Sequence, residues 1–256
     1  MHEHLQQSVQ ILGVAISSVD MTRAVARISE WVRRHEARYV CAVDVNSLIL
    51  ARSDKVHRTA LADADMAVPD GAPLAWVGRI KGHTDMKRVC GPELLPEVCA
   101  HSGTEGWRHY FYGGAEGAAD ELAAQLKMRF SGLKVAGCET PPFQPLSESE
   151  REAMIARIKA SKANIVWVGL GCPKQEAWMR ENVSRLGDAV LIGIGAAFDF
   201  HTGRINRAPV WMRSHGLEWL HRLCSEPRRL WRRYLVSAPK FVLLCVGEAI
   251  SRRPTS

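Results

Sequence analysis

The sequence predicts an α/β fold: a Rossmann-like open, mostly parallel sheet with helices on both faces, followed by a basic helical C-terminal appendage. Three observations carry this expectation. Short apolar runs without polar alternation, such as Ile165 to Val168 and Val190 to Ile194, suit strands covered on both faces. Twice a strand-like run meets a glycine-rich turn that opens a helix, at Gly113-Gly114 with Gly117 and at Gly169 with Gly171, as crossover units of a parallel sheet require. After Gly203 the texture becomes rich in Arg and Trp. Residues 204–256 hold 11 Lys or Arg against 3 acidic residues, whereas residues 1–203 hold 23 against 24, so the net charge of +7 belongs to the tail. The chain is therefore divided into an α/β domain, 1–203, and a basic helical appendage, 204–256.

Taken in order, Val9 to Ile16 reads as a first strand. Met21, Ala24, Val25, Ile28, Trp31 and Val32 then form one apolar stripe at helical spacing, with Asp20 as N-cap. Tyr39 to Val45 is a second strand leading into Asn46 and a helical stretch, Ser47 to Arg52. Lys55 to Ala62 is helical, Met66 to Val68 a short strand, and Pro69-Asp70-Gly71 a turn before the helix marked by Leu74, Val77, Gly78 and Ile80. Gly91-Pro92 opens a helix bearing Leu94, Leu95, Val98 and Cys99. Arg108 to Tyr112 is a strand, Ala118 to Phe130 a helix, Lys134 to Gly137 a strand and Thr140 to Pro145 a proline-rich loop. Ser147 begins the next helix, with Glu150 placed for a capping box. Ile165 to Val168 follows, then the Gly169 to Gly171 turn, with Pro173 in the first turn of a helix. In the tail, Ser225 and Pro227 mark a helix start, with short helices on either side. Arg222, Arg229 and Arg233 share a face only if that helix is continuous, a point Pro227 leaves open.

Composition excludes several classes. The seven cysteines are odd in number and form no C-x-x-C pair, against a disulfide framework or a thiolate zinc site, and a reducing cytosol fits them. No basic region followed by an apolar run opens the chain, so no secretory signal is expected. Phe241 to Val246 falls well short of the ~20 apolar residues a membrane span needs. The histidines show no H-E-x-x-H spacing, and Asp63-Ala64-Asp65 reads as solvated carboxylates at a helix end. No metal and no cofactor are expected.

Ligands of an open α/β sheet gather outside the carboxyl ends of its strands. Asp44, Asn46, Asp70, Gly113, Gly171 and Gly195 all fall just after expected strands. At the Gly169 to Gly171 turn, Pro173 leaves Lys174, Gln175 and Glu176 at a helix N-terminus, where free amides favour a phosphate or diphosphate. The alternative is a turn that binds nothing. Asp70, between Pro69 and Gly71, is either a general base or the cap of the next helix. The basic tail suits an anionic surface, whether lipid headgroups, nucleic acid or a phosphorylated substrate, or else is a solvated face.

The strings DADMAVPDGAPLAW, KRVCGPELL, YFYGGAEG, VGLGCPKQEAW, IGIGAAFDFHTGRINRAPVWM and GLEWLHRLCSEPRRLWRRYL together resemble the WecG/TagA/CpsF glycosyltransferases of bacterial polysaccharide assembly, in motif order from about Leu12 to Leu235. The resemblance implies inverting transfer of a hexose or N-acetylhexosamine from a UDP-sugar to a sugar carried on a polyprenyl diphosphate, in cell-surface polysaccharide synthesis. It implies a cytoplasmic enzyme, peripheral on the inner face of the plasma membrane, whose partners are donor, lipid-linked acceptor and membrane surface rather than nucleic acid; a homo-oligomer is left open. Carried over by motif, Asp70 is the base for the acceptor hydroxyl and Arg88 a partner for phosphate charge. Gln175 and Glu176 line the nucleotide pocket. Gly71, Gly113, Gly114, Gly169, Gly171, Pro173 and Gly195 form the turns around the substrates, and Arg222, Arg229 and Arg232 close over the site. One departure concerns the T-x-N pattern of many members. This chain has Asp44-Val45-Asn46, which leaves the donor open between N-acetylmannosamine and glucose-like sugars. Two rival readings are a nucleotide-dependent oxidoreductase, weakened because Lys174 and Phe198 stand where a third glycine belongs, and an RNA-binding protein using the tail.

Overall fold

The structure, a computed structural model, describes residues 7–142, 144–209, 211–212 and 215–251; the side chain of Arg229, named above, lies outside the described residues. Its elements in chain order are β1 (Ser8–Ile11), β2 (Val14–Ser17), α1 (Met21–Arg33), β3 (Arg38–Val43), α2 (Val45–Ala51), α3 (Lys55–Ala62), β4 (Met66–Pro69), α4 (Ala72–Ile80) and α5 (Gly91–Glu105). There follow β5 (Arg108–Gly113), α6 (Ala118–Arg129), β6 (Lys134–Glu139), α7 (Glu148–Ala160), β7 (Ile165–Gly169), α8 (Lys174–Asn182), β8 (Val190–Gly193) and α9 (Ala197–His201). The tail forms α10 (Glu218–Ser225), α11 (Pro227–Trp231), a π-helical turn (Arg232–Ser237) and α12 (Ala238–Ser251).

Six strands form one sheet in the order β4-β3-β8-β7-β5-β6, and every neighbouring pair is parallel. The central strands β7 and β8 are buried along their apolar length, which is why they read as unbroken hydrophobic runs. Alternate residues serve opposite faces. Ile165 and Trp167 join the core under α1, α5, α6 and α9, while Val166 and Val168 join the core under α2, α3, α7 and α8. Local signals hold as expected at the helix starts: Asp20 accepts from the Arg23 amide at 3.0 Å, and Ser147 and Glu150 form the capping box.

The expected first strand, Val9 to Ile16, is instead two. Leu12 and Gly13 both take positive φ, 49° and 82°, and reverse the chain into an antiparallel hairpin outside the main sheet. Leu at a left-handed position hides such a turn from composition. The hairpin is held beside β4, where the Ala67 amide donates to Ser17 Oγ at 3.1 Å. The second strand also ends earlier than expected, at Val43, because Asp44 caps α2 and draws Val45 and Asn46 into its first turn.

In the tail, Glu226 leaves helical geometry (φ −132°, ψ 59°) and Pro227 starts α11, so α10 and α11 are separate helices. Arg222 therefore does not share a continuous helical face with Arg233. Among the described residues no helix is long and apolar enough to cross a membrane. The tail is nonetheless fastened to the sheet domain: Phe241, 3% exposed, belongs to the core that contains Leu48 of α2 and Val43 of β3.

Candidate active site

Because all six strands run the same way, their carboxyl ends share one edge of the sheet. That edge collects Asp44 after β3, Asp70 after β4, Gly113 and Gly114 after β5, Gly169 and Gly171 at the end of β7, and Gly195 after β8.

The structure separates the two aspartates by what they hold. Asp44 is a structural cap: its Oδ1 accepts from the Ser47 amide at 2.8 Å, and its Oδ2 pairs with Arg233. A Thr at this position would also serve as a cap, though a weaker one; Asp adds the charge that holds Arg233. Asp70 caps nothing. The N-cap of α4 is Gly71, at φ 131°, with no side-chain capping bond, while the Asp70 amide donates to Val43 O at 2.8 Å and anchors the turn to β3. The carboxyl is thus placed by the backbone and is not used as a helix cap. Burial, reinforced by the Asp44 charge, pushes its pKa up to about 7 against the opposing pull of Arg88 and Arg233.

Arg88 lies in a four-member charge cluster. Its Nη2 is 2.9 Å from Cys90 Sγ, 3.4 Å from Glu93 Oε1 and 3.0 Å from Glu218 Oε2. Arg207 joins the same carboxylates, at 2.7 Å to Glu93 Oε1 and 3.4 Å to Glu218 Oε1. Arg88, whose charge acts on Asp70, is thus paired with a second guanidinium, a group suited to diphosphate oxygens.

The glycines divide by cause. A Cβ on Gly113 would lie 2.6 Å from the Gly169 carbonyl carbon, and one on Gly169 would lie 2.5 Å from the Phe198 ring. On Gly114 it would meet Ala118 at 2.9 Å and Phe198 at 3.0 Å. These three are small so that adjacent strand ends and α9 can touch. Gly171, at φ 76°, has nothing within 4 Å of its would-be Cβ, and its backbone faces open space. Pro173 then stands at the N-cap of α8 rather than inside its first turn.

A family model described as the glycosyl transferase WecG/TagA/CpsF family matches residues 9–255. The chain belongs to the WecG/TagA/CpsF glycosyl transferase family. Among the three readings of the sequence, family membership selects the transferase, in cell-surface polysaccharide synthesis.

Within this glycosyl transferase, Gln175 and Glu176 are 3% and 1% exposed. Gln175 links the Gly195 turn to the first turn of α8, accepting from the Gly195 amide at 3.1 Å and donating to Glu176 Oε1 at 2.8 Å. Burial raises the Glu176 pKa. Their buried side chains tie the start of α8 to the Gly195 turn.

The tail covers this edge of the transferase. Arg233 reaches Asp44, Ser237 Oγ donates to Asn46 Oδ1 at 3.3 Å, and Glu218 reaches Arg88. Of the arginines singled out in the sequence, Arg222 stacks over Phe200 at 5.2 Å and Arg232 over its neighbour Trp231 at 5.3 Å, the latter exposed. Arg233, Arg207, Glu93 and Glu218 were not expected at the edge. Arg207, Arg233, Glu93 and Glu218 all lie inside the motif strings quoted above, which was the available signal. Cavities of about 380 and 320 Å³ lie elsewhere, against α6 and β6 and against α1.

Asp63, exposed at the end of α3, pairs with Arg180 at 2.6 Å as a helix-end carboxylate, whereas Asp65 is not solvated as expected but half-buried, paired with Arg38 at 2.8 Å and accepting from the Tyr39 amide at 2.9 Å. A different group, His57, Cys172 and Glu176, brings potential ligand atoms within 4.8 Å of one another.

Proposed function

We propose that this glycosyl transferase moves a hexose or N-acetylhexosamine, such as N-acetylmannosamine or glucose, from a UDP-sugar to a sugar on a polyprenyl diphosphate, with inversion at the anomeric carbon. The observation that carries the reading is Asp70: an uncapped carboxyl, with a pKa of about 7, on the sheet edge that also bears Arg88 and the open Gly171 turn. In the step envisaged, the acceptor hydroxyl oxygen bonds to the anomeric carbon as the bond from that carbon to the UDP diphosphate oxygen breaks. The hydroxyl proton passes to Asp70, and the bonding pair leaves with UDP. The growing negative charge on the diphosphate is met by Arg88, with Arg207 beside it, and by the amides of the Gly171 turn.

Residues 204–256 serve in this reading as the membrane-facing part that closes over the substrates. The support is chemical: Trp211, Trp219, Trp231, Leu235 and Leu243 are exposed in the segment that carries the chain's excess positive charge. Tryptophan suits headgroup depth, and arginine suits anionic lipid. The enzyme then works at the cytoplasmic face of the plasma membrane. The test is transfer across a panel of UDP-sugars to a short-chain lipid diphosphate sugar. Asp70→Asn should bind UDP and turn over none of the donors; a variant that kept turnover would remove Asp70 as the base.

A further inference from the structure

We propose that His57, Cys172 and Glu176 form a binding site for a thiophilic divalent cation of the zinc class, directly behind the Gly171 turn. The three come from separate elements: His57 from α3, Cys172 from the turn after β7, Glu176 from the first turn of α8. Each offers one ligand atom, and those atoms lie within 4.8 Å of one another.

The two buried members point to a missing ligand. His57 and Glu176 are 0% and 1% exposed, and His57 Nδ1 faces Glu176 Oε2 at 3.9 Å. Neither atom has a hydrogen-bond partner. Buried polar atoms are nearly always paired, so two orphans facing each other mark a site that something enters. A tetrahedral ion with bonds of ~2.0–2.3 Å spaces its ligands by roughly 3.3–3.8 Å. The 3.9 Å between His57 Nδ1 and Glu176 Oε2 needs only a slight contraction, with the three ligand atoms already within 4.8 Å of one another.

Chemistry selects the ion. One thiolate and one carboxylate balance a divalent charge, so the loaded site is neutral in a low-dielectric setting. A thiolate and an imidazole favour zinc over magnesium or calcium. Ser47 Oγ, 2.9 Å from His57 Nε2, supplies the outer contact that fixes the ring. Cys172 is exposed, which gives the ion an entry path and leaves a fourth position for water. Sequence spacing conceals the site because His57 and Cys172 stand 115 positions apart.

The test uses the full chain, with Co²⁺ as a spectroscopic probe and Zn²⁺ in competition against a chromophoric chelator. One ion per chain is expected, with tetrahedral visible bands and a thiolate-to-cobalt charge-transfer band. Cys172→Ser, at an exposed turn, should abolish that band, and Glu176→Gln and His57→Gln, which remove ligands, should each weaken binding by more than the roughly 10–100-fold typical of losing an outer contact. Circular dichroism checks that each variant is folded, and the Cys172→Ser result decides if a buried substitution is not. Absence of binding at micromolar Zn²⁺ would overturn the proposal, as would a charge-transfer band that survives Cys172→Ser. Cobalt bound without any thiolate band, as at the His2-Glu3-His4 run, would also overturn it.

Discussion

The pH dependence of transfer tests the assignment of Asp70 most directly. A carboxylate at its usual 3.8 would be ionised throughout the physiological range; burial and Asp44 instead place Asp70 near 7. As a base it acts only when ionised. The ionised fraction is about half at pH 7, ~10% at pH 6 and ~1% at pH 5, so kcat/KM should fall about tenfold per pH unit below 7. Asp44→Asn removes a neighbouring negative charge and should move this limb to lower pH; Arg233→Gln removes a positive one and should move it higher. The same group carries a stability signature. Its folded pKa lies above its unfolded value, so its contribution is fully present below 3.8 and is lost as pH rises through about 7. At pH 8 the ionised carboxylate costs on the order of 2–3 kcal/mol, after discounting for its partial exposure. Asp70→Asn should therefore raise the urea midpoint at pH 8 and leave it nearly unchanged at pH 4. Initial rates of UDP release between pH 5 and 8.5, with denaturation curves at the two pH values, measure both effects. A flat profile across that range, or an Asp44→Asn limb that moves upward, would refute the assignment.

Other substitutions separate scaffold from site. Gly113→Ala forces a Cβ against Gly169 at a φ of 121° and should cost about 3 kcal/mol in chemical denaturation. Gly171→Ala meets open space and should cost only about 1 kcal/mol, yet weaken UDP binding by calorimetry as its methyl crowds the turn amides. Arg233→Ala removes a partly exposed pair with Asp44 and should lower stability by roughly 1 kcal/mol while α2 keeps its Asp44 cap, as read from the denaturant midpoint. Truncation after Gly203 should release the protein from anionic vesicles in a sedimentation assay and abolish transfer to a lipid-linked acceptor. Retention of both properties would remove the tail's proposed role.

Much of the fold was legible because its signals are local. The unbroken apolar runs of β7 and β8 identified strands covered on both faces, the Ser147 and Glu150 spacing marked a helix start, and Pro227 marked the break between α10 and α11. Each depends on residues within a turn or two of one another, where periodicity and side-chain chemistry act directly on the backbone. The hairpin at Leu12 and Gly13 escaped because a left-handed Leu leaves no mark in composition. Motif order pointed to Asp70 and Arg88, but whether Asp70 caps a helix or stands unengaged was decided by Gly71 taking the cap position. Likewise the glycines at 113, 114 and 169 owe their smallness to the closeness of strand ends and Phe198, while Gly171 alone of these four faces open space. The pairing of Asp44 with Arg233, and of Arg88 with Glu218, spans 189 and 130 positions. Such partners are chosen by strand order and by where the tail lies, and no short-range pattern in the chain encodes the distance between them.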